Sequence, residues 1–122
     1  MTSKDQSAAV DLTPLSPAVF HILLSLSAGE RHGYAIMREV AESTNGKIKM
    51  GPGTLYGTIK RLLTAGLIVE IDERPDPELD DERRRYYRLT ALGNQFALQE
   101  NQRLTQAVKA AQKRQLSDRP LN

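Results

Sequence analysis

The sequence predicts a mostly α-helical domain with a two-stranded antiparallel hairpin near its middle and a long helix at its C-terminal end. Apolar residues recur at helical spacing over residues 17–28, 34–43 and 52–65, which is the pattern of amphipathic or buried helices. The pattern changes to alternation at 67–72 and again at 84–89, which is typical of strands. From Thr90 to about Leu116 helical spacing returns. A chain of 122 residues supports one domain of this kind with a modest core.

The first two helices follow an N-terminal arm. Residues 1–14 begin with a small and polar stretch without periodicity, so we expect a disordered arm. Ser16 and Pro17 form an N-cap and first-turn pair. The helix that follows is apolar on most sides, which predicts a central place in the core. A second helix, from Tyr34 to about Ser43, stops at Asn45 and Gly46, because these residues tolerate left-handed conformations.

The third predicted helix has two unlike faces. It begins at Pro52 and ends before Gly66, which suits a left-handed cap. One face is apolar and should be buried: Leu55, Ile59, Leu62 and Leu63. The opposite face is small, hydroxylated or cationic: Gly53, Thr54, Gly57, Lys60, Arg61 and Thr64. No acidic residue occurs between Ser43 and Val69. Such a helix fits a DNA major groove, although an ordinary solvated helix has the same pattern.

The alternating segments predict a hairpin packed after this helix. Leu67, Val69 and Ile71 alternate with Ile68, Glu70 and Asp72, as in a half-buried strand, and a second strand runs from Arg84 to Leu89. Residues 75–83 between them contain two prolines and five acids, which indicates an exposed loop. A helix, a turn, a cationic helix and a hairpin in this order predict a winged helix-turn-helix, with the hairpin as its wing.

Candidate DNA-binding residues lie at three places in this arrangement. The arginines 83–85 suit phosphates or a narrow minor groove, but they also suit neutralisation of the acidic loop. Tyr34 fits either a phosphate contact or a buried structural role, and Tyr56 lies on the flank between core and groove. The predicted set is His32, Tyr34, Lys47, Lys49, Gly53, Thr54, Tyr56, Gly57, Thr58, Lys60, Arg61, Arg83, Arg84 and Arg85.

The final helix predicts a homodimer. Beyond Leu92, its apolar stripe is too thin to be stabilised well by one domain, and its residues alternate spacings of four and three, as in a coiled-coil seam. The alternative is a mostly solvated tail. The predicted dimerisation set is Phe96, Ala97, Asn101, Leu104, Val108 and Ala111, with Phe96 also anchoring the start of the helix on the core.

Composition argues against other classes of function. The 17 Lys and Arg residues against 15 Asp and Glu leave a net charge of +2, so the distribution of charge carries more information than its total. The chain contains no cysteine, and His21 and His32 have no ligand spacing, so neither a metal site nor a cofactor is predicted. The acids cluster in a loop that could not control their pKa for catalysis. No signal peptide or membrane span is apparent, and we expect a cytoplasmic protein without a membrane partner.

Three blocks together closely resemble the PadR family of bacterial transcriptional regulators: HGYAIMREV, GKIKMGPGTLYGTIKRLLTAGLI and DERPDPELDDERRRYYRLTALG. The resemblance extends from about Leu15 to Leu104 and includes only one C-terminal helix, as in the shorter branch of the family. It implies a homodimeric repressor of transcription, and many relatives release DNA when a small hydrophobic or phenolic effector binds. Carried onto this chain, the recognition helix is Pro52 to Ala65 and the wing is Leu67 to Leu89.

These inferences divide the chain into a disordered arm (1–14), a winged helix-turn-helix DNA-binding domain (15–89), a dimerisation helix (90–116) and a disordered tail (117–122). The predicted function is sequence-specific regulation of transcription by a homodimer that binds a palindromic operator in double-stranded DNA. The alternative is a winged helix that binds other proteins and has no specific DNA site. The cationic face of the third helix distinguishes the two, because a protein-docking winged helix does not require it.

Overall fold

The computed structural model describes residues 8–71 and 85–114. Four helices and three strands follow the short helical turn at residues 8–10: α1 (Pro17–Ser27), β1 (Arg31–His32), α2 (Gly33–Ser43), α3 (Pro52–Thr64), β2 (Ile68–Ile71), β3 (Tyr86–Leu89) and α4 (Ala91–Lys113). This confirms a mostly helical winged helix-turn-helix with a C-terminal helix. None of the helices in the described ranges is both long enough and apolar enough to span a bilayer.

The predicted helix ends agree with the structure. The Ser16 hydroxyl accepts a hydrogen bond from the Val19 N–H at 3.2 Å and caps α1. Asn45 and Gly46, which terminate α2, have φ angles of 54° and 77°, and Gly66 after α3 has φ 78°. A left-handed backbone costs glycine little and asparagine less than most residues, so these turns follow directly from residue type.

The core forms around α1, as its apolar composition predicts. Ile22 and Leu23 on α1 are fully buried, together with Ile36 on α2 and Leu55 and Leu62 on α3. Buried side chains from three helices therefore belong to one core cluster, and burying them removes apolar surface from water. This packing fixes the back of α3 and leaves its other face to solvent.

The sheet contains three strands in the order β1-β3-β2, one more than the sequence predicts. The strand β1 pairs antiparallel with β3, placing Arg31 opposite Tyr87. It has only two residues and lies in the predicted connection between the first two helices, so it shows no alternation that could reveal it. The pairing ties the wing to the segment that begins α2.

The phase of β2 also differs from the prediction. Ile68 is 2% exposed and Val69 is 37% exposed, so Val69 is not an inward-facing residue as the alternation suggested. The reason is that Leu67 belongs to the turn after α3, where its N–H donates to the Leu62 carbonyl at 3.0 Å. The strand therefore begins at Ile68, which is its one buried residue. The strand β3 begins at Tyr86, and the predicted start at Arg84 lies outside the described residues.

The predicted disordered arm is partly wrong. Residues 8–10 are helical, Ala9 is fully buried and Leu15 is 4% exposed, so the ordered chain starts well before residue 15. The turn that holds this segment, from the Leu12 N–H to the Ala9 carbonyl at 3.0 Å, is too short to give a periodic signal. Residues 1–7 of the arm and the predicted tail at 117–122 lie outside the described residues.

The helix α4 leaves the core after Glu100, which is 6% exposed. Phe96 and Ala97 are 7% and 8% exposed and pack on the core of their own chain. They therefore have little surface to offer a second copy, and their place in the dimerisation set is corrected. Residues 101–110 are all exposed, and among them Leu104 and Val108 are 37% and 55% exposed. This part of the predicted seam has no cover within the described chain.

Candidate nucleic-acid interface

The helix α3 has a buried back and an open front. Leu55, Ile59 and Leu62 lie in the core, whereas the front is exposed throughout. We call this front the exposed face of α3, and its residues are Gly53, Thr54, Gly57, Lys60, Arg61 and Thr64. A Cβ atom placed on Gly53 or Gly57 would meet no atom within 4 Å. The glycines are therefore not required for packing inside the chain, and they leave the helix backbone accessible from outside.

Thr58 does not belong to this face, which corrects the predicted set of DNA-binding residues. It is 7% exposed, and its hydroxyl donates to the Thr54 carbonyl at 2.9 Å. Position 58 is one turn from both Leu55 and Leu62, so helical geometry places it on the buried side. The helical spacing of Thr58 from Leu55 and Leu62 was sufficient to exclude it from the DNA-binding set. It was included because a hydroxyl side chain is typical of residues that contact bases.

The connection before α3 holds Lys47 and Lys49 in exposed positions. Thr44 shapes it: its hydroxyl donates to the Val40 carbonyl at 2.8 Å and accepts from the Ile48 N–H at 3.0 Å. This bridge was not predicted from the sequence, because it depends on the hydroxyl of Thr44 reaching backbone groups on both sides of the turn. The cations therefore precede a helix N-terminus, which carries partial positive charge and attracts phosphate.

His32 and Tyr34 have different environments at the start of α2. His32 caps the helix, because its Nδ1 accepts a hydrogen bond from the Ala35 N–H at 3.1 Å. Its ring also packs edge-to-face on Tyr86, with centroids 5.4 Å apart. In this arrangement Nδ1 is an acceptor and does not donate to a phosphate. Tyr34 is 44% exposed, so the buried alternative for Tyr34 is wrong and a phosphate contact stays a prediction.

Tyr56 lies between the core and the exposed face, as predicted. It is partly buried, and its ring rests on the backbone at Gly33 so closely that a Cβ atom there would lie 2.3 Å from the hydroxyl oxygen. A side chain at position 33 would therefore require the Tyr56 ring to move. The contact joins the first residue of α2 to α3, so the structural role of Tyr56 has direct support, whereas a DNA contact does not.

One of the three arginines lies in the described part of the wing. Arg85 donates from Nη1 to Glu70 Oε2 on β2 at 2.8 Å, and both side chains are partly exposed. Exposed pairs of this kind contribute about 0 to 1 kcal/mol, so exchanging this carboxylate for a phosphate would cost the wing little. Burial, with a smaller effect of Glu70, raises the pKa of Tyr87, which therefore stays a neutral core residue beside the pair. Arg83, Arg84 and the acidic loop lie outside the described residues.

Comparison with known proteins identifies the family to which this winged helix-turn-helix is similar. Residues 22–99 match the family described as the transcriptional regulator PadR-like family. A PadR family transcription regulator from Clostridium difficile is 25% identical with a TM-score of 0.66, covering 80% of this chain and 97% of that one. A transcriptional regulator from Clostridium thermocellum is 26% identical with a TM-score of 0.63, covering 79% of this chain and 87% of that one.

A protein from Lysinibacillus sphaericus, described as uncharacterized, is 31% identical over 75 residues, which make up 62% of this chain and 66% of that protein. The family match covers both helices of the helix-turn-helix, the wing strands and the start of α4. It therefore includes the exposed face of α3 together with the elements that position it. The chain belongs to the PadR-like family of transcriptional regulators.

Proposed function

We propose that this protein is a homodimeric transcriptional repressor that reads a palindromic operator with the exposed face of α3. PadR-family regulators bind DNA and are typically dimeric. A dimer with two-fold symmetry places two identical helices against two half-sites, which then form a palindrome. The proposed dimer contact is the part of α4 that contains the exposed Asn101, Leu104 and Val108 and the partly buried Ala111.

The observation that carries the proposal is the combination of bare backbone and positive charge on one helix face. Gly53 and Gly57 are free of packing constraints, and Lys60 and Arg61 lie one turn beyond Gly57 in exposed positions. A backbone that approaches base edges needs such small residues, whereas a helix that docks on a protein gains contact area from larger ones. Thr54 adds a hydroxyl and a methyl group suited to base edges and to the thymine methyl.

Selection of bound duplexes from a random DNA pool tests the proposal. We expect enrichment of a palindrome whose half-site centres are about one helical turn, 10 to 10.5 base pairs, or a multiple of it apart. A purified, folded protein that enriches no sequence would contradict the proposal. In that case the alternative, a winged helix that binds other proteins, would be the better interpretation.

The salt dependence of binding gives a second measurement. With about four to six phosphate contacts per subunit, log K should fall with log salt at a slope of about −7 to −11 for the dimer. Replacing Lys60 with alanine should make the slope shallower by about 2 per dimer if Lys60 holds a phosphate. If Lys60 instead donates to guanine, the variant should relax the preference at one position. Lys113→Ala at the last turn of α4 is the matched control and should leave the slope unchanged.

The resemblance also implies release from DNA by a small hydrophobic or phenolic effector. Phe96 is the single aromatic residue after Tyr87 in the sequence, and its ring is buried in the core of its own chain. An effector that stacks on aromatic side chains of α4 therefore has no exposed ring available there. We propose that release by a small hydrophobic or phenolic effector would use a site other than aromatic side chains of α4, and operator affinity measured with and without phenolic acids tests whether release occurs.

A further inference from the structure

Thr90 joins the start of α4 to the end of α3. Its hydroxyl donates to the Gly66 carbonyl at 2.7 Å and accepts from the Gly93 N–H at 2.9 Å. Its own N–H donates to the Leu67 carbonyl at 3.1 Å. One residue therefore caps α4 and holds it to the turn that directly follows α3.

Gly93 closes this junction from the side of α4. A Cβ atom at position 93 would lie 2.0 Å from the Leu67 carbonyl oxygen and 2.9 Å from a methyl carbon of Leu89. The first turn of α4 therefore touches the backbone after α3 with no space between them. Such close contact, together with the three hydrogen bonds of Thr90, leaves the direction of α4 little freedom relative to α3.

We infer that Thr90 is a positioning residue for DNA recognition, which sets the separation of the two recognition helices in the dimer. This inference rests on the proposed homodimer. Leu104 and Val108 lie about 21 to 27 Å along the helix from Thr90, at 1.5 Å per residue. A tilt of about 10° at Thr90 would displace them by about 4 Å, which exceeds the rise of one base pair, about 3.4 Å. The junction thereby determines which spacing between half-sites the dimer accepts.

Two substitutions separate the cap from the link to Gly66. Thr90→Asp keeps an oxygen that accepts from the Gly93 N–H, and aspartate is a good N-cap residue. Its carboxylate has no proton to donate to the Gly66 carbonyl, so the link is lost. Thr90→Ser keeps both bonds and is the matched control. Thr90→Ala removes both bonds and carries the same prediction as Thr90→Asp if the aspartate variant does not fold.

The experiment measures affinity for duplexes that carry the selected palindrome with spacers changed by one base pair at a time, and for a duplex with a single half-site. Circular dichroism and sedimentation verify that each variant is folded and dimeric. We expect the wild type and Thr90→Ser to lose about tenfold or more in affinity when the spacer changes by one base pair. Thr90→Asp should lose less than about threefold, while all three bind the single half-site equally within about twofold.

Two outcomes would overturn the inference. If folded, dimeric Thr90→Asp keeps the sharp optimum of the wild type, the link to Gly66 does not set the spacing, although the proposed function stands. If the wild type itself prefers no two-half-site duplex over a single half-site, the proposed dimeric repressor fails and the role of Thr90 fails with it. A variant that merely lost stability would weaken binding to every duplex alike and would not broaden the spacing profile.

Discussion

Replacing Gly57 with leucine should separate folding from DNA reading. Gly57 lies in the middle of the exposed face of α3, and a Cβ atom there meets nothing within 4 Å. Inside the chain, the substitution therefore causes no clash. In a major groove the same side chain would occupy the space between the helix backbone and the base edges and would push α3 outward.

The substitution should increase the free energy of unfolding and decrease the affinity for DNA. Glycine in a helix interior is about 0.8 to 1.0 kcal/mol less favourable than alanine, and leucine is close to alanine. The variant should therefore be more stable by about 0.5 to 1 kcal/mol, which would raise Tm by about 2 to 4 °C. Loss of two base contacts, one in each half-site, at about 1 to 3 kcal/mol each would weaken binding to the preferred site by roughly thirty-fold to twenty-thousand-fold.

Thermal unfolding and fluorescence anisotropy with the selected operator measure the two effects. Gly57→Ala is the matched control, because it gains the same helix propensity while adding only one methyl group to the face. We expect both variants to be stabilised, and Gly57→Leu to lose far more operator affinity than Gly57→Ala. A Gly57→Leu protein that is folded and dimeric and binds its operator as tightly as the wild type would refute the reasoning. The groove-facing surface would then lie elsewhere.

Four further substitutions test other parts of the structure. Leu104→Glu places a charge on the exposed part of α4 and should give monomers in sedimentation with weakened operator binding. A variant that stays dimeric would show that this part of α4 is not the dimer contact. Thr54→Ala should cost about 1 to 3 kcal/mol on the operator and little on random DNA, whereas Thr58→Ala should lower Tm and leave the specificity ratio unchanged. The Arg103 hydrogen bonds hold the pKa of Glu100 below its ordinary value of 4.5. The ionised carboxylate therefore contributes fully to the free energy of unfolding above pH 4.5. This contribution is lost as the pH falls through the lower pKa that Glu100 has in the folded protein. Glu100→Gln should flatten that loss of stability in denaturant unfolding measured below pH 4.5.

The sequence predicted those elements whose residues repeat over several turns. The two faces of α3 and the central place of α1 follow from apolar spacing that extends over whole helices. The turns at Asn45, Gly46 and Gly66 follow from residue types with few alternatives in a left-handed backbone. Such signals are local, so these features can be predicted from the sequence without knowledge of the tertiary contacts.

The features that the sequence did not predict depend on contacts between distant segments. The strand β1 exists because Arg31 and His32 pair with Tyr87 and Tyr86, far along the chain, and two residues have no periodicity of their own. Ala9 is buried because other elements cover it, not because its neighbours form an apolar stripe. The pattern of residues along one sequence indicates neither strand pairing between distant segments nor burial by other elements.

Two threonines of α3 show why a set of DNA-binding candidates chosen by polarity alone is too large. Thr54 and Thr58 have the same side chain on the same helix, one turn apart, yet only Thr54 faces solvent. Thr58 donates its hydroxyl to the Thr54 carbonyl, and His32 likewise uses Nδ1 to cap α2. Each has given a hydrogen-bonding group to the fold, so that group is not available to a base or a phosphate without breaking an internal bond. Exposure together with internal hydrogen bonding, rather than residue type, therefore selects the residues that can read DNA. On α3 it leaves Thr54, next to Gly53 and one turn from Gly57, as the exposed hydroxyl near the N-terminal end, with Thr64 exposed at the opposite end of the helix.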